Sequence, residues 1–549
     1  MATPQPSQPI LILKEGTQRQ TGRDVRNTNI QVARIMGEAV KSTLGPKGMD
    51  KMLIDTFGDV VLTNDGATIL KKMDVQHPAA KTIAEVAKTL DDEVGDGTTT
   101  AVMLTGELLR EASELMAARI HPASILSGYG IAAKEAVGYL EKISVDIGED
   151  EEKIYRNLVK TAIAGKVSET SPDKIVDLVV KAVHYATTEE NGKRVFDKDQ
   201  VKIVKQETGS VLDSELVEGL VLLKERAHPG MPERVEDAKV ALVTESIKIE
   251  ETEVDAEIAI TTPGELKKFK DQETENLKKM VEKIKNVGAN VVIVQKGIDD
   301  KVQDMLAKNG IFAVKRVRKS EMEQLARATG AKIVSRVKDI TPDKLGYAGV
   351  VEEKKLGDEN RVFVEKCKNP RSVTIVIRGG TKHVTEEVER GVEDGLKTLS
   401  TVVEDRRILA GGGAPEINVS RHLRKVAEKV TGKEQLAVIA FAKALESIPQ
   451  TLARNAGFNP MDTLADLKAA HEKSGTPWIG IDLENGKPVD MMEKGVLEPL
   501  RVKTQAIESA HETAALLLRV DDMIVAKKED LSKDLEKKPK KFGTTGKKW

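Results

Sequence analysis

The stretch DDEVGDGTTTAVML, residues 91–104, seats Asp96 between Gly95 and Gly97, follows it with three threonines, and lies between two segments of helical pattern. Glycines let a backbone approach a ligand closely, and the amides that open a helix near Thr98 carry positive partial charge, so the segment suits a phosphate. A carboxylate repels a bare phosphate. The missing third party is Mg2+, an oxygen-seeking ion commonly shared between one carboxylate and phosphate oxygens, with threonine hydroxyls and amides taking the remaining oxygens. A tight Asp-Gly turn capped by threonine accounts for the same residues without any ligand.

Four other pieces could join it. TLGPKGMDK, from Thr43 to Lys51, is a second glycine-bounded loop at the end of a helix, with Lys47 nearby, and GxxxxGK[ST] occurs nowhere in the chain. NDG at 64–66 puts the carboxylate of Asp65 on a strand-to-helix corner, where by itself it is a turn residue. VEDG at 392–395 offers Asp394, which alone reads as a solvated helix face. AGGGA at 410–414 is either a flexible linker or a close backbone approach before a helix.

These pieces need a large scaffold. At 549 residues the chain exceeds what one hydrophobic core organises, and with 40% hydrophobic but only 3% aromatic residues its cores must be built from Val, Ile, Leu and Ala. The charges, 86 − 88 = −2, remove any global electrostatic argument for nucleic acid or an anionic membrane. The 32% charged fraction fits both the ion-pair networks of heat-adapted proteins and ordinary solvated helix faces. A lone cysteine, Cys367, excludes an intrachain disulfide, and eight scattered histidines show no zinc-type spacing. No signal-peptide pattern or apolar run of ~18 residues is present, so a cytoplasmic location without membrane contact is expected.

Periodicity predicts a helix over 27–44, two short strands in MLID and DVVLT, and a helix at ATILKKM. Helical pattern then dominates 79–143, broken by GDG and by Gly128 and Gly130, and resumes at 153–161 and 171–186. Past about residue 200 the texture changes to β-branched runs between helices: VALV, NVVIVQ, FAVKRV, AKIVS, RVFVEK and SVTIVIRGG. Between the first two lies a polar excursion, 249–280, too long for an ordinary connection. From Glu386 the helical texture returns, which predicts an α/β domain inserted into a helical one, and the basic tail KKPKKFGTTGKKW carries no core-forming pattern.

Taken jointly and in this order, the pieces resemble the chaperonin family in its archaeal group II form, the thermosomes. The likeness runs through nearly the whole chain: LKEGTQR, TLGPKGMDKML, TNDGATIL, HPAAK, VGDGTTTAV, HPASILSGY, GANVVIVQKGID, ATGAKIVS, CKNP, IRGGT, AGGGAPE, NAGFNPMD and GVLEPLRVK. It implies a multidomain α and α/β fold: a helical equatorial domain from both chain ends (1–147 and 407–549), a small α/β intermediate hinge domain (148–213 and 369–406), and an inserted α/β apical domain (214–368). The apical domain would bind clients and carry a helical protrusion at about 249–280 as a built-in lid. Two stacked rings of such subunits would enclose non-native proteins while ATP is hydrolysed.

By motif, the resemblance gives Asp96 to Mg2+ and Gly97, Thr98, Thr99 and Thr100 to the phosphates. It puts Thr43, Leu44, Gly45, Pro46 and Gly412 along the nucleotide, Glu498 at the ribose, and Gly480 and Ile481 near the adenine. It makes Asp394 the acid that orients or deprotonates the attacking water, with Asp65 assisting, and Lys166 of TAIAGK the sensor of the terminal phosphate. The chain departs from many relatives at Arg406-Arg407, at Ala164, and at Gly395, where alanine is common and glycine weakens a helix by up to ~1 kcal/mol. A ring-forming holdase or structural protein without productive turnover is the competing expectation; a metabolic kinase lacks any acceptor pocket in the pattern.

Overall fold

Helical periodicity in the first 143 residues becomes five helices: α1 (Arg23–Lys41), α2 (Gly66–Lys72), α3 (Pro78–Val94), α4 (Thr98–Ala117) and α5 (Pro122–Ile143). The computed structural model describes residues 18–54, 58–148, 150–166, 172–248, 263–357, 359–367 and 372–525. His77 and His121 cap α3 and α5 by accepting from the amides of Ala79 and Ala123, each with proline opening the helix. Gly128 and Gly130, expected to break the pattern, lie inside α5; the break falls instead at Arg119, whose φ is 62°. The reason is packing at Gly128, where a Cβ would come 2.5 Å from Ala437 Cβ and 2.6 Å from the Glu434 carbonyl oxygen.

The chain then runs outward through α6 (Glu151–Ile163) and α7 (Pro172–Ala186) to α8 (Pro263–Asn286), α9 (Asp300–Lys308) and α10 (Lys319–Thr329). It returns along α11 (Lys382–Asp405) into α12 (Ala414–Ala427), α13 (Glu434–Asn455), α14 (Pro460–Ser474), α15 (Met491–Lys494) and α16 (Leu500–Arg519). Among the described residues α13 alone is long and apolar enough to cross a membrane, and 78% of its apolar window is buried inside the fold.

Apolar residues gather into separate cores that follow this out-and-back path. One joins α1–α5 to α12, α13 and α16, around side chains such as Leu104, Leu108, Tyr129 and Phe441. A second joins α6, α7 and α11 to the strands Val201–Gln206 and Val373–Arg378. Two more lie on the faces of a seven-stranded sheet. In it Arg234–Val243 pairs in parallel with Val291–Val294 and Ile333–Val334 and antiparallel with Gly346–Leu356, and the sheet continues to Phe312–Val314 on one side and to Glu359–Cys367 and Gly219–Leu222 on the other. The expected β-branched runs all contribute strands to this sheet, except SVTIVIRGG, whose Val373–Arg378 pairs with Val201–Gln206. Gly346–Leu356 was not foreseen, because its charged half, EEKKL, masks the alternation.

Two short seams stitch the outgoing and returning passes. Val201–Gln206 pairs in parallel with Val373–Arg378, and Arg407–Ala410 pairs with both Val145–Asp146 and Leu497–Pro499. Residues 249–262 of the polar excursion, and the basic tail, lie outside the described residues. The rest of the excursion belongs to α8, which continues to Asn286 and buries Leu277, Val281 and Ile284 against the sheet.

Candidate functional site

The acid of GDGTTT stands where two helices change direction. Gly95 closes α3 at φ 73° and Gly97 opens α4 at φ 81°, left-handed positions that a side chain would strain. Asp96 between them accepts a hydrogen bond from the Gly97 amide at 2.8 Å. Gly97 has no side chain to cap α4, so the first amides of a 20-residue helix are open to an acceptor. The triple glycine repeats the device: Gly412 (φ 64°) and Gly413 (φ 79°) lead into α12, which has no side-chain cap either. AGGGA is thus a close approach and not a linker, since a Cβ on Gly413 would come 2.8 Å from Pro449 Cβ.

Both helix starts open on one cleft of about 1060 Å³. Of the residues expected from sequence, Thr43, Leu44, Gly45, Pro46, Asp96, Gly97, Thr100, Lys166, Gly412, Ile481 and Glu498 line it. Gly45 bends its loop at φ 81°, and a Cβ there would come 2.5 Å from Leu452 Cδ2. Gly165 sits against Pro46, and Asn64 donates to the Gly165 carbonyl at 2.5 Å, so the loops carrying Pro46, Asp65 and Lys166 lock together.

Five expected residues fall outside the wall. Thr98 and Thr99 form the first turn of α4, where Thr99 abuts Gly66; a Cβ on Gly66 would lie 2.5 Å from Thr99 Oγ1 and 3.0 Å from its amide. Asp65 caps α2 by accepting from the Thr68 amide at 2.7 Å. Gly480, expected near an adenine, lies behind the glycine loop, where a Cβ would meet the carbonyl oxygens of Gly412 and Gly411 at 2.8 and 2.9 Å. Asp394, which alone read as a solvated face, is 7% exposed on α11.

Asp394 nevertheless belongs to the charge cluster. Lys166 Nζ donates to Asp394 Oδ2 at 2.8 Å and lies 3.6 Å from Asp96 Oδ1. Burial opposes the charge on Lys166, but the carboxylates of Asp394, Asp96 and Asp65 outweigh it and hold its pKa above the ordinary lysine value. One ammonium cannot satisfy three carboxylates. Burial first, then the charges of Asp65 and Asp96, push the Asp394 carboxyl from 3.8 up to about 7 against the pull of Lys166. This surplus of negative charge beside open helix amides fits a divalent cation shared with a phosphorylated ligand. Among the described residues no group of three or more His, Cys, Asp or Glu is set to hold a metal.

A second buried cluster escaped the sequence. Lys503 Nζ lies 2.8 Å from Glu416 Oε1 and 2.6 Å from Glu498 Oε2. Burial raises the Glu498 pKa, and Lys503 only partly offsets it. Residues 416 and 503 sit on different helices, and no local spacing announces their meeting. Asn157, Thr161, Leu452, Met491 and Lys494 also line the cleft unforeseen.

Residues 36–528 match the TCP-1/cpn60 chaperonin family. The chain is 56% identical over 527 residues to the thermosome subunit beta of Archaeoglobus fulgidus, covering 96% of each. It is 55% identical over 530 residues to the thermosome subunit of Pyrococcus abyssi, again covering 96% of each. To the thermosome subunit of Methanopyrus kandleri it is 54% identical over 524 residues, covering 95% of this chain and 96% of that one.

Proposed function

The chain belongs to the TCP-1/cpn60 chaperonin family as an archaeal group II subunit, and from that premise we propose that its cleft binds and hydrolyses ATP to drive a folding cycle. The observation that carries this reading is the Lys166 bridge: it joins Asp394, on a helix of the hinge core, to Asp96, at the start of α4 in the largest helical core. An acid held on one packing unit and a phosphate-type cradle held on another can meet or part as the units move. Phosphoryl transfer asks the protein mainly for positioning and charge, so such a meeting suffices to gate it.

In this reading Gly97, Thr98, Thr99 and Thr100 and the backbone from Thr43 to Pro46 surround the phosphates. Gly412 and Ile481 flank the base, with Gly480 acting from behind, and Glu498 takes the ribose. Asp96 would hold Mg2+, whose contribution when bound is to neutralise phosphate charge. Asp394, its pKa already raised towards neutrality, accepts a proton from the attacking water; Asp65 holds the corner of α2 against Thr99 and adds its charge to the cluster. Lys166 exchanges its carboxylate partners for the terminal phosphate.

The proposed domains are those of the resemblance: equatorial 1–147 and 407–549, intermediate 148–213 and 369–406, apical 214–368. The excursion at 249–280 would close a chamber built from two stacked rings around unfolded client proteins, in the cytoplasm. Exchange of Asp394→Ala tests the chemistry. We expect ATP binding to be kept, with turnover falling by about 10²–10⁴-fold, as for loss of a general base. Unchanged turnover ends that role for Asp394. Client capture with no ATP-dependent release, measured alongside, would leave a holdase.

A further inference from the structure

The buried acid on α11 must be held at a fixed depth and rotation, and two cations on the same helix face are placed to do so. Arg390, Asp394 and Lys397 follow one another at intervals of four and three residues, so their side chains leave one side of α11. Arg390 Nη2 donates to the carbonyl oxygen of Leu62 at 3.0 Å. Lys397 Nζ donates to the carbonyl oxygen of Asp91 at 3.1 Å and to its Oδ1 at 3.0 Å.

Both acceptors lie just upstream of an acid of the cluster. Leu62 is in the strand Val60–Thr63 that leads to Asp65, and Asp91 is in the last turn of α3 that leads to Asp96. A main-chain carbonyl cannot shift without its element, so each cation ties α11 to the element that carries one acid. The stem of Lys397 reaches Asp91 by crossing Gly95, where a Cβ would lie 2.2 Å from Lys397 Cδ. Gly95 therefore serves the crossing as well as the turn.

We propose that Arg390 and Lys397 are positioning residues, a two-point clamp that registers α11 so that Asp394 stands between Asp65 and Asp96 when the hinge core meets the largest helical core. The clamp rests on the reading that Asp394 serves ATP hydrolysis. Neither Arg390 nor Lys397 lines the cleft, and their effect passes through Asp394 alone.

The test uses the full-length assembled protein and follows steady-state ATP hydrolysis together with calorimetric ATP binding. Lys397→Met keeps the stem over Gly95 and removes the ammonium. We expect kcat to fall at least about tenfold, with KM and ATP affinity changed less than about twofold, as for a misplaced catalytic group. Lys397→Arg, which keeps a donor, should recover most of the rate. In an Asp394→Ala background, Lys397→Met should change the residual rate by less than about twofold, because its only route of action is gone. A general stabilising ion pair predicts instead an equal loss in both backgrounds, and that result overturns the clamp, as does an unchanged kcat or a loss confined to KM.

If Asp394→Ala alone turns over at the parent rate, the catalytic reading falls and the clamp with it, a result seen without touching Lys397. Should Lys397→Met fail to assemble, Arg390→Gln probes the other end with the same expectations and the same overturning results.

Discussion

The charges of three aspartates act on one ammonium group at the cleft, and for Asp394 burial is the largest influence on its titration. Asp394 is the most enclosed and is pushed up to about 7. Its folded pKa lies above the ordinary carboxylate value, so as pH falls through about 7 it takes up a proton and ceases to be a base. We therefore expect kcat/KM for ATP hydrolysis, which reports the free enzyme, to be level above that pH and to fall by about tenfold per unit below it. Asp65→Asn removes one of the two like charges and should move this limb to lower pH even where it lowers the maximum. A limb near 4 in the parent protein, measured at saturating Mg2+, would count against the raised acid. Glu498 carries the same tension: Lys503 holds it in place while burial resists its charge.

At the scale of elements, glycines set the distances between the pieces. Gly66 opens α2 directly against Thr99, and a methyl group there would come within 3.0 Å of the Thr99 amide. A backbone must yield to admit it. Gly66→Ala should accordingly separate α2 from the start of α4 and weaken ATP binding several-fold, roughly the effect of 1–2 kcal/mol, while thermal unfolding changes little; titration calorimetry reads the first and a melting curve the second. Sequence made the α4 side of this arrangement legible because GDGTTT is contiguous: its glycines, acid and helix start are neighbours in the chain. It could not show that Asp394 is buried, since burial arises only when α11 docks on α6 and α7. Gly395 held the clue. Set against relatives with alanine it reads as a weak point in the helix, yet a Cβ there would lie 3.2 Å from methyl groups of Val159 and Val179, so the residue is a contact point between helices. Gly128 was misread for the same reason. The pairing of Lys503 with Glu416 joins residues far apart in the chain, beyond any local pattern.

Across the whole molecule, the chain leaves the largest helical core, builds the seven-stranded sheet and returns, and Val201–Gln206 and Val373–Arg378 lie on the outgoing and returning passes. Lys202, on the outgoing of these two strands, donates to the Val221 carbonyl at 2.8 Å and to Glu321 on α10. The two ion-pair side chains are only 14% and 10% exposed. Gln324 and Arg327, farther along α10, reach the Asp199 carbonyl and the Asp197 carboxylate, so one helix face grips the strand and its approach. Burial depresses the Lys202 pKa, and Glu321 only partly restores it, which marks the pair as costly to break from one side. Glu321→Leu strands the ammonium and should destabilise the docking of α10 by about 3–5 kcal/mol, whereas Lys202→Met with Glu321→Leu removes both charges and should recover most of that loss. Hydrogen exchange across residues 319–329 measures it: faster exchange in the single variant and near-parent exchange in the double are expected. Equal exchange in all three would make the grip a surface contact, and movement would then have to reach the sheet through other contacts, among them Thr374, which accepts from the Val221 amide and donates to the Gly219 carbonyl.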